Sequence, residues 1–306
     1  MKTKRAAVPI AALLCGCTTM APPVQPAQQP KETSPSHRHP TPRPLKLMGG
    51  DRNVVTPIKT TAKEVEPCPE EMVLVRRPQA AYCIDRWEAS LELAAEAGGK
   101  PWPGNRNIDG MESQVRAVSL LGRKPQGYIS GKQAAMACAH SGKRLCEIDE
   151  WVRACKGPKG LLYPYGSERL PNRCNDRYRK LNYHPVVRLF KKLAPPGTDS
   201  KEMWLPSWMN RPELHELSHS VKPTGSHVAC ESAYGVFDMV GNLHEWVADP
   251  QGTFFGGFFM DTFQNGEGCE YRTIGHPFDY HDYSTGFRCC ADARVSRQIV
   301  TSPQGL

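Results

Sequence analysis

Apolar positions along most of this chain come in short runs that are interrupted by Gly, Pro, Asn and Asp. Helical spacing is clear in two places, an Ala-rich stretch over residues 130–140 and a second stretch over residues 147–155. Short apolar segments at residues 71–75 and 253–259 have the composition of strands in hairpins. The pattern therefore predicts an α+β domain with an unusually large share of loop.

The first residues of the chain have a different pattern. A basic start is followed by a short apolar stretch over residues 6–14, which cannot span a bilayer, and then by Leu14-Cys15-Gly16-Cys17. This end resembles a bacterial lipobox, in which the cysteine is acylated and becomes the mature N-terminus. We predict a lipoprotein signal peptide over residues 1–16 and lipidation of Cys17. An ordinary secretory peptide that is cleaved elsewhere is the alternative.

Both alternatives predict export. With the lipid anchor at Cys17, the protein is expected at the membrane of a bacterial cell envelope, either facing the periplasm or exposed at the surface. Residues 17–62 are rich in proline and polar residues, which predicts a disordered tether. The folded domain is predicted over residues 63–295 and a C-terminal tail over residues 296–306.

Composition narrows the possible roles. The chain has 306 residues, 39% of them hydrophobic, so it can form a packed core. In an exported chain, 12 cysteines indicate a disulfide framework, which also suits a fold with little regular structure. The net charge of +8 decreases when the basic signal is removed, and no recognition motif is present. We therefore do not expect a nucleic acid partner.

Several blocks of sequence occur in the order seen in formylglycine-generating enzymes. The most specific one reads GVFDMVGNLHEW, and the blocks lie at residues 68–73, 82–90, 142–151, 163–166, 234–246, 256–258 and 286–289. Over about residues 68–292 the chain resembles the sulfatase-modifying factor family. This resemblance implies an α+β, C-type-lectin-like formylglycine-generating-enzyme fold that is rich in loops and stapled by disulfides.

The resembling enzymes oxidise a substrate cysteine to formylglycine with copper held by two cysteines. Counting from Gly256, the first of these positions falls on Asp261 and the second near Gly266. Soft thiolates select Cu(I), and a single carboxylate is a poor substitute for them. We therefore expect no copper, no catalytic residues of the family type and no formylglycine-generating activity.

The resemblance also implies two disulfide bonds, Cys138–Cys289 and Cys155–Cys269. Six further cysteines lie between residues 68 and 290, and sequence alone leaves their connectivity open. By proximity we pair them as Cys68–Cys83, Cys146–Cys290 and Cys174–Cys230. The adjacent residues 289 and 290 would face opposite sides of a strand, which favours two separate bonds over one vicinal pair.

A structural calcium site is a further implication of the resemblance. The family's ligands on this loop fall on Asp238, Gly241, Leu243 and Glu245. Calcium binds several oxygens from flexible loops, which this segment can supply. A weaker second site begins at Asn175 and Asp176. The alternative is that these acidic side chains only cap turns.

Residues 177–220 are the least family-like part of the domain and are interpreted as an insertion. The segment contains His215-Glu216-Leu217-Ser218-His219, a match to the zinc motif H-E-x-x-H, but Pro223 would end such a helix early. We favour a surface helix over a zinc site here. The insertion also combines basic and aromatic residues, which can bind a glycan or an envelope protein, or can simply be solvated charge above core aromatics.

Taken together, the sequence predicts an exported, lipid-anchored domain that acts as a binding or assembly module at the cell envelope. One alternative is an enzyme, either a divergent oxidoreductase of the formylglycine-generating family or a zinc hydrolase that uses the histidines of the insertion. A structural component of the envelope is another alternative.

Overall fold

The computed structural model describes residues 67–78, 80–94, 99–176 and 184–294. The predicted signal peptide, the lipidation site Cys17, the tether and the C-terminal tail over residues 296–306 lie outside these residues, as does the first part of the insertion. Within the described ranges, no helix has both the length and the apolar content that a membrane span requires.

Strands in the described residues form three small sheets. The first is antiparallel, with the strand order β1 (Met72–Arg76), β2 (Ala81–Asp85), β10 (Cys289–Asp292) and β5 (Arg144–Leu145). The second pairs β3 (Ser90–Leu93) with β4 (Val115–Val118). The third has the order β8 (Arg272–Thr273), β7 (Phe254–Phe255), β6 (His244–Trp246) and β9 (Thr285–Phe287), with β6 and β9 parallel. Pairing of Ile84 with Cys290 joins the two ends of the domain.

The two helices predicted from the sequence are present and begin at well-formed caps. Helix α1 (Gly131–Ala139) starts after Ser130, whose hydroxyl accepts a hydrogen bond from the Gln133 amide in a capping box. Helix α2 (Ile148–Lys156) starts after Glu147, also with a capping box, and ends at Gly157. The glycine has a φ of 65°, a conformation that glycine adopts without strain. Local chemistry thus determines both helices.

The described part of the insertion contains short helices that pack on the domain. They are α3 (Pro185–Leu193), α4 (Pro206–Met209) and 3-10 helices at Ser200–Trp204 and Pro212–Glu216. Further 3-10 helices lie at Glu112–Gln114 and Gly268–Glu270. Buried side chains of the insertion join Leu243 and Phe259 in one hydrophobic cluster. This part of the insertion is therefore attached to the core.

Five disulfide bonds staple the domain. They join Cys68–Cys83, Cys138–Cys289, Cys146–Cys290, Cys155–Cys269 and Cys174–Cys230, the five pairs expected from the sequence. The neighbouring half-cystines of β10 connect to α1 and to the segment that follows β5, because side chains alternate faces along a strand. All ten cysteines of the described residues are bonded, so none of them is a free thiol.

The expectation of a surface helix at residues 215–219 is wrong. The 3-10 helix ends at Glu216, so the two histidines do not share one face of an α-helix. His215 is buried and its Nε2 lies 2.5 Å from the carbonyl oxygen of Tyr283. His219 follows in a left-handed conformation with a φ of 65°. In the described residues, no group of three His, Cys, Asp or Glu side chains is arranged to hold a metal ion.

Candidate functional site

Asp261, at the first position where the resembling enzymes carry a copper cysteine, caps a loop. Its Oδ1 accepts hydrogen bonds from the backbone amides of Phe263 at 3.0 Å and Gln264 at 3.1 Å. Its Oδ2 accepts one from the hydroxyl of Tyr271 at 3.1 Å. The side chain is buried, and these donors satisfy most of its acceptor capacity. Asp261 thus stabilises the turn and presents no thiol-like ligand.

Gly266, near the second copper position, has no room for a side chain. Its φ is 106°, and a Cβ added here would lie 2.5 Å from the carbonyl oxygen of Glu270. A cysteine at this position would require the backbone to move. The backbone at this position is therefore compatible with glycine and not with a cysteine side chain.

Glu245 of β6 is at the centre of a buried ionic network. Its carboxylate accepts hydrogen bonds from Arg288 Nε at 2.6 Å and Nη2 at 2.7 Å, and from Trp151 Nε1 at 2.6 Å. The Arg288 guanidinium also donates to the backbone carbonyls of Asp85 and Phe237. The carboxylates around it raise the pKa of Arg288 against the effect of burial. This network joins β2, β6, α2 and the segment before β10.

One of the proposed calcium ligands, Glu245, is part of this network, and the others lie near it. Gly225 donates its amide hydrogen to Asp238 Oδ2 at 2.7 Å, while burial raises the pKa of Asp238 to about 6. Nearby, burial raises the pKa of Glu88, whose Oε1 accepts the Leu243 amide. Because Arg288 and Trp151 occupy most of the acceptor positions of Glu245, the arrangement does not favour a cation at that carboxylate. Calcium stays a prediction, which elemental analysis of purified protein can test.

The second calcium position contacts the first. Asn175 donates from Nδ2 to Asn242 Oδ1 at 2.9 Å, and its carbonyl accepts the Asn242 amide at 2.9 Å. A Cβ on Gly241 would lie 2.5 Å from the Asn175 carbonyl oxygen, so only glycine permits this close approach. Asp176 is buried and ion-paired with Arg169, Oδ2 to Nε at 2.9 Å. The segments expected at two separate cation sites therefore lie in contact, through Asn175 against Gly241 and Asn242.

His244 is a buried residue that sequence reasoning missed. The rings of Phe254, Phe258 and Tyr271 surround its imidazole, with centroid distances of 4.6, 5.0 and 5.5 Å. Burial lowers its pKa to about 3, so the ring is neutral, and its Nδ1 has no hydrogen-bond partner. The surrounding rings come from separate segments of the chain. Apolar pattern alone could not indicate that they meet around this histidine.

A cavity of about 300 Å³ lies between the insertion and the loop before β9. We call it the insertion pocket. Its insertion side includes Trp204, Pro206 and Met209, and its other side includes Tyr280 and Asp282. Trp204 is 44% exposed, which leaves part of its indole open to a ligand. The insertion thus contributes a wall to a concave surface, the usual form of a small-molecule site.

The sulfatase-modifying factor enzyme 1-like domain of the FGE-sulfatase family matches residues 32–293, most of the chain. The chain belongs to this family. As a sulfatase-modifying factor family member, it has the family's α+β, C-type-lectin-like fold, which is rich in loops and stapled here by disulfides. The fold expected from the sequence blocks is confirmed.

Two mammalian members of the family resemble the chain in sequence. It is 27% identical over 180 residues to inactive C-alpha-formylglycine-generating enzyme 2 of Bos taurus, a match that covers 55% of this chain and 50% of that protein. The protein of the same name from Mus musculus is 26% identical over 180 residues, covering 55% and 49%. The chain therefore spans about half the length of these relatives.

Solved structures resemble the chain more distantly. PvdO from Pseudomonas aeruginosa is 16% identical, with a TM-score of 0.40 and coverage of 69% of this chain and 80% of PvdO. CarF is 15% identical, with a TM-score of 0.35 and coverage of 69% and 86%. The major tropism determinant I1 variant is 13% identical, with a TM-score of 0.40 and coverage of 76% and 55%.

Proposed function

We propose that this chain is an exported, lipid-anchored member of the family that binds a component of the cell envelope and does not generate formylglycine. The observation that carries the proposal is the pair of replaced copper positions. Asp261 is committed to capping a loop, and Gly266 has no space for a cysteine side chain. The related mammalian proteins whose names call them inactive are consistent with this interpretation.

The cysteines of the described residues support the same proposal. All ten are paired in disulfides, so none is available as a redox-active thiol without reduction. Buried disulfides and a buried ion pair are features of a rigid scaffold. Binding residues are commonly carried by loops on such scaffolds, and the insertion with its pocket fits that role here.

The enzymatic part of the proposal is tested with a sulfatase-type peptide that contains the substrate cysteine. Purified protein is incubated with this peptide, copper and oxygen, and the peptide mass is followed beside an active formylglycine-generating enzyme as positive control. We expect the cysteine peptide to remain unchanged. Conversion of cysteine to formylglycine by this protein would contradict the proposal.

The anchoring part is tested by fractionating cells that express the full chain or its Cys17→Ser variant. We expect the wild type in the membrane fraction and the variant in the soluble exported fraction, because the diacylglyceryl group is attached through a thioether, which only the cysteine sulfur can form. A wild-type chain found in the soluble fraction would contradict lipid anchoring. The anchor-free variant is then mixed with isolated envelope material, and we expect it to be retained.

A further inference from the structure

We infer that the insertion pocket binds one neutral pyranose unit of an envelope glycan. This inference rests on the proposed binding function and names the ligand class of the pocket. Four features carry it: an exposed aromatic wall, the fixed position of that wall, a row of polar groups opposite it, and the balance of charge around those groups. The volume of about 300 Å³ is at the small end of ligand sites and suits a single ring.

The aromatic wall is Trp204, which is held in place. Its indole and the His184 ring pack edge to face, with a centroid distance of 5.1 Å and an interplanar angle of 74°. His184 Nε2 lies 3.0 Å from the hydroxyl of Tyr283, and burial lowers the pKa of His184 to about 4. A neutral, hydrogen-bonded ring therefore supports one side of the indole. Its open part offers the apolar C–H face of a sugar a preformed surface.

The opposite wall supplies hydrogen-bonding groups. Tyr280 donates its hydroxyl hydrogen to Asp282 Oδ2 at 2.6 Å. His281 Nδ1 lies 2.8 Å from Asn210 Oδ1, which orients the imidazole at the pocket. These are fixed polar groups beside an apolar surface, the combination that orients a ligand with one apolar face and several hydroxyl groups.

Both carboxylates of this wall already have partners. Asp279 is ion-paired with Lys132, Oδ2 to Nζ at 3.1 Å. Asp282 is 4% exposed, and its carboxylate accepts hydrogen bonds from Tyr280 and from both the amide and the hydroxyl of Ser284. Few acceptor positions therefore remain for an ammonium group, while the negative charge of the carboxylates disfavours an anion. A neutral polyhydroxyl ligand fits this environment better than an amino sugar, a uronic acid or a phosphate headgroup.

The test uses the anchor-free Cys17→Ser chain and four soluble probes: the neutral trimer of N-acetylglucosamine, methyl glucoside, cationic glucosamine and anionic glucuronic acid. Binding is followed by saturation-transfer NMR and by titration of tryptophan fluorescence. We expect saturable binding of a neutral probe. We expect Trp204→Ala to weaken it about tenfold or more, and Leu205→Ala, which changes an exposed neighbour that does not line the pocket, to leave it within about twofold.

Other outcomes overturn the inference. Tighter binding of glucosamine or glucuronic acid than of both neutral probes would identify a charged ligand. Loss of binding in Leu205→Ala but not in Trp204→Ala would show that the binding site lies outside the insertion pocket. If no probe binds while envelope material still retains the protein, the pocket inference fails and the proposed function stands. If envelope material does not retain the protein, or if the peptide assay yields formylglycine, the proposed function itself fails. Unfolding temperatures of both variants exclude loss of the fold as the cause.

Discussion

The domain core and the insertion are built by different means. The core has a fully buried Arg288 whose partners come from three distant segments, and disulfides that join distant segments, such as the bond between helix α1 and strand β10. The part of the insertion over residues 184–216 has no cysteine, consists of short helices, and leaves Trp204 and Leu205 about half exposed. The core is therefore suited to keep one shape, and the insertion to present an exposed surface on it.

Removal of the buried arginine should produce the largest difference in the free energy of unfolding between the two regions. We expect Arg288→Met to lower the free energy of unfolding by about 3–5 kcal/mol, because Glu245 would remain buried without its partner. The control is Arg211→Met in the insertion, whose ion pair with Glu213 is about one third exposed and should cost under about 1 kcal/mol. Equilibrium denaturation measures both. Equal losses would refute the contrast between the two regions.

Loss of one core disulfide should have the next largest effect. The double variant Cys138→Ala, Cys289→Ala opens a bond between residues 151 positions apart. We expect it to cost about 2–5 kcal/mol in urea denaturation, chiefly because the unfolded chain gains freedom. Intact masses under alkylation confirm that the other bonds persist. A cost below about 1 kcal/mol would show that the core does not depend on this bond.

His215 should make the stability of the insertion depend on pH. Burial lowers its pKa from 6.5 to about 4, so the unfolded chain binds more protons between these values. The contribution of the neutral His215 to the free energy of unfolding is complete above about pH 6.5. It is lost as the pH falls towards 4. We expect His215→Gln, which can still donate to the Tyr283 carbonyl, to flatten this dependence by up to about 2–3 kcal/mol. The measurement is urea denaturation at pH 4.5 and 7.5. An equal change in the free energy of unfolding of wild type and variant between these pH values would contradict the prediction.

The smallest stability effect is expected at the exposed surface of the insertion. Trp204→Ala removes an indole that is 44% exposed, and should lower the free energy of unfolding by about 1 kcal/mol or less. The same substitution is expected to weaken pocket binding. Thermal unfolding of the variant separates the two effects. A loss comparable to that of Arg288→Met would mean that Trp204 belongs to the core.

Two kinds of prediction from the sequence agree with the structure for local reasons. Helix α1 follows Ser130 and Gln133, and α2 follows Glu147 and Glu150, because both capping boxes act within one turn. The absence of thiolate ligands at the copper positions also follows directly from the residue types, since a carboxylate or a glycine cannot supply a thiolate. Two of the disulfide pairs, Cys138–Cys289 and Cys155–Cys269, required the family resemblance as well, because connectivity depends on distant contacts, and the other three were assigned by proximity.

The sequence by itself determined the α+β class, the capped helices, the family and the missing thiols, because each depends on residue type or short-range spacing. Tertiary structure alone decided that His215 is buried against Tyr283 instead of lying on a surface helix. It also decided that Arg288 forms a buried ion pair with Glu245. It also decided that Trp204 and Tyr280 line the same cavity. These contacts join segments far apart in the chain, and their free energy comes from burial and hydrogen bonds that no local pattern records.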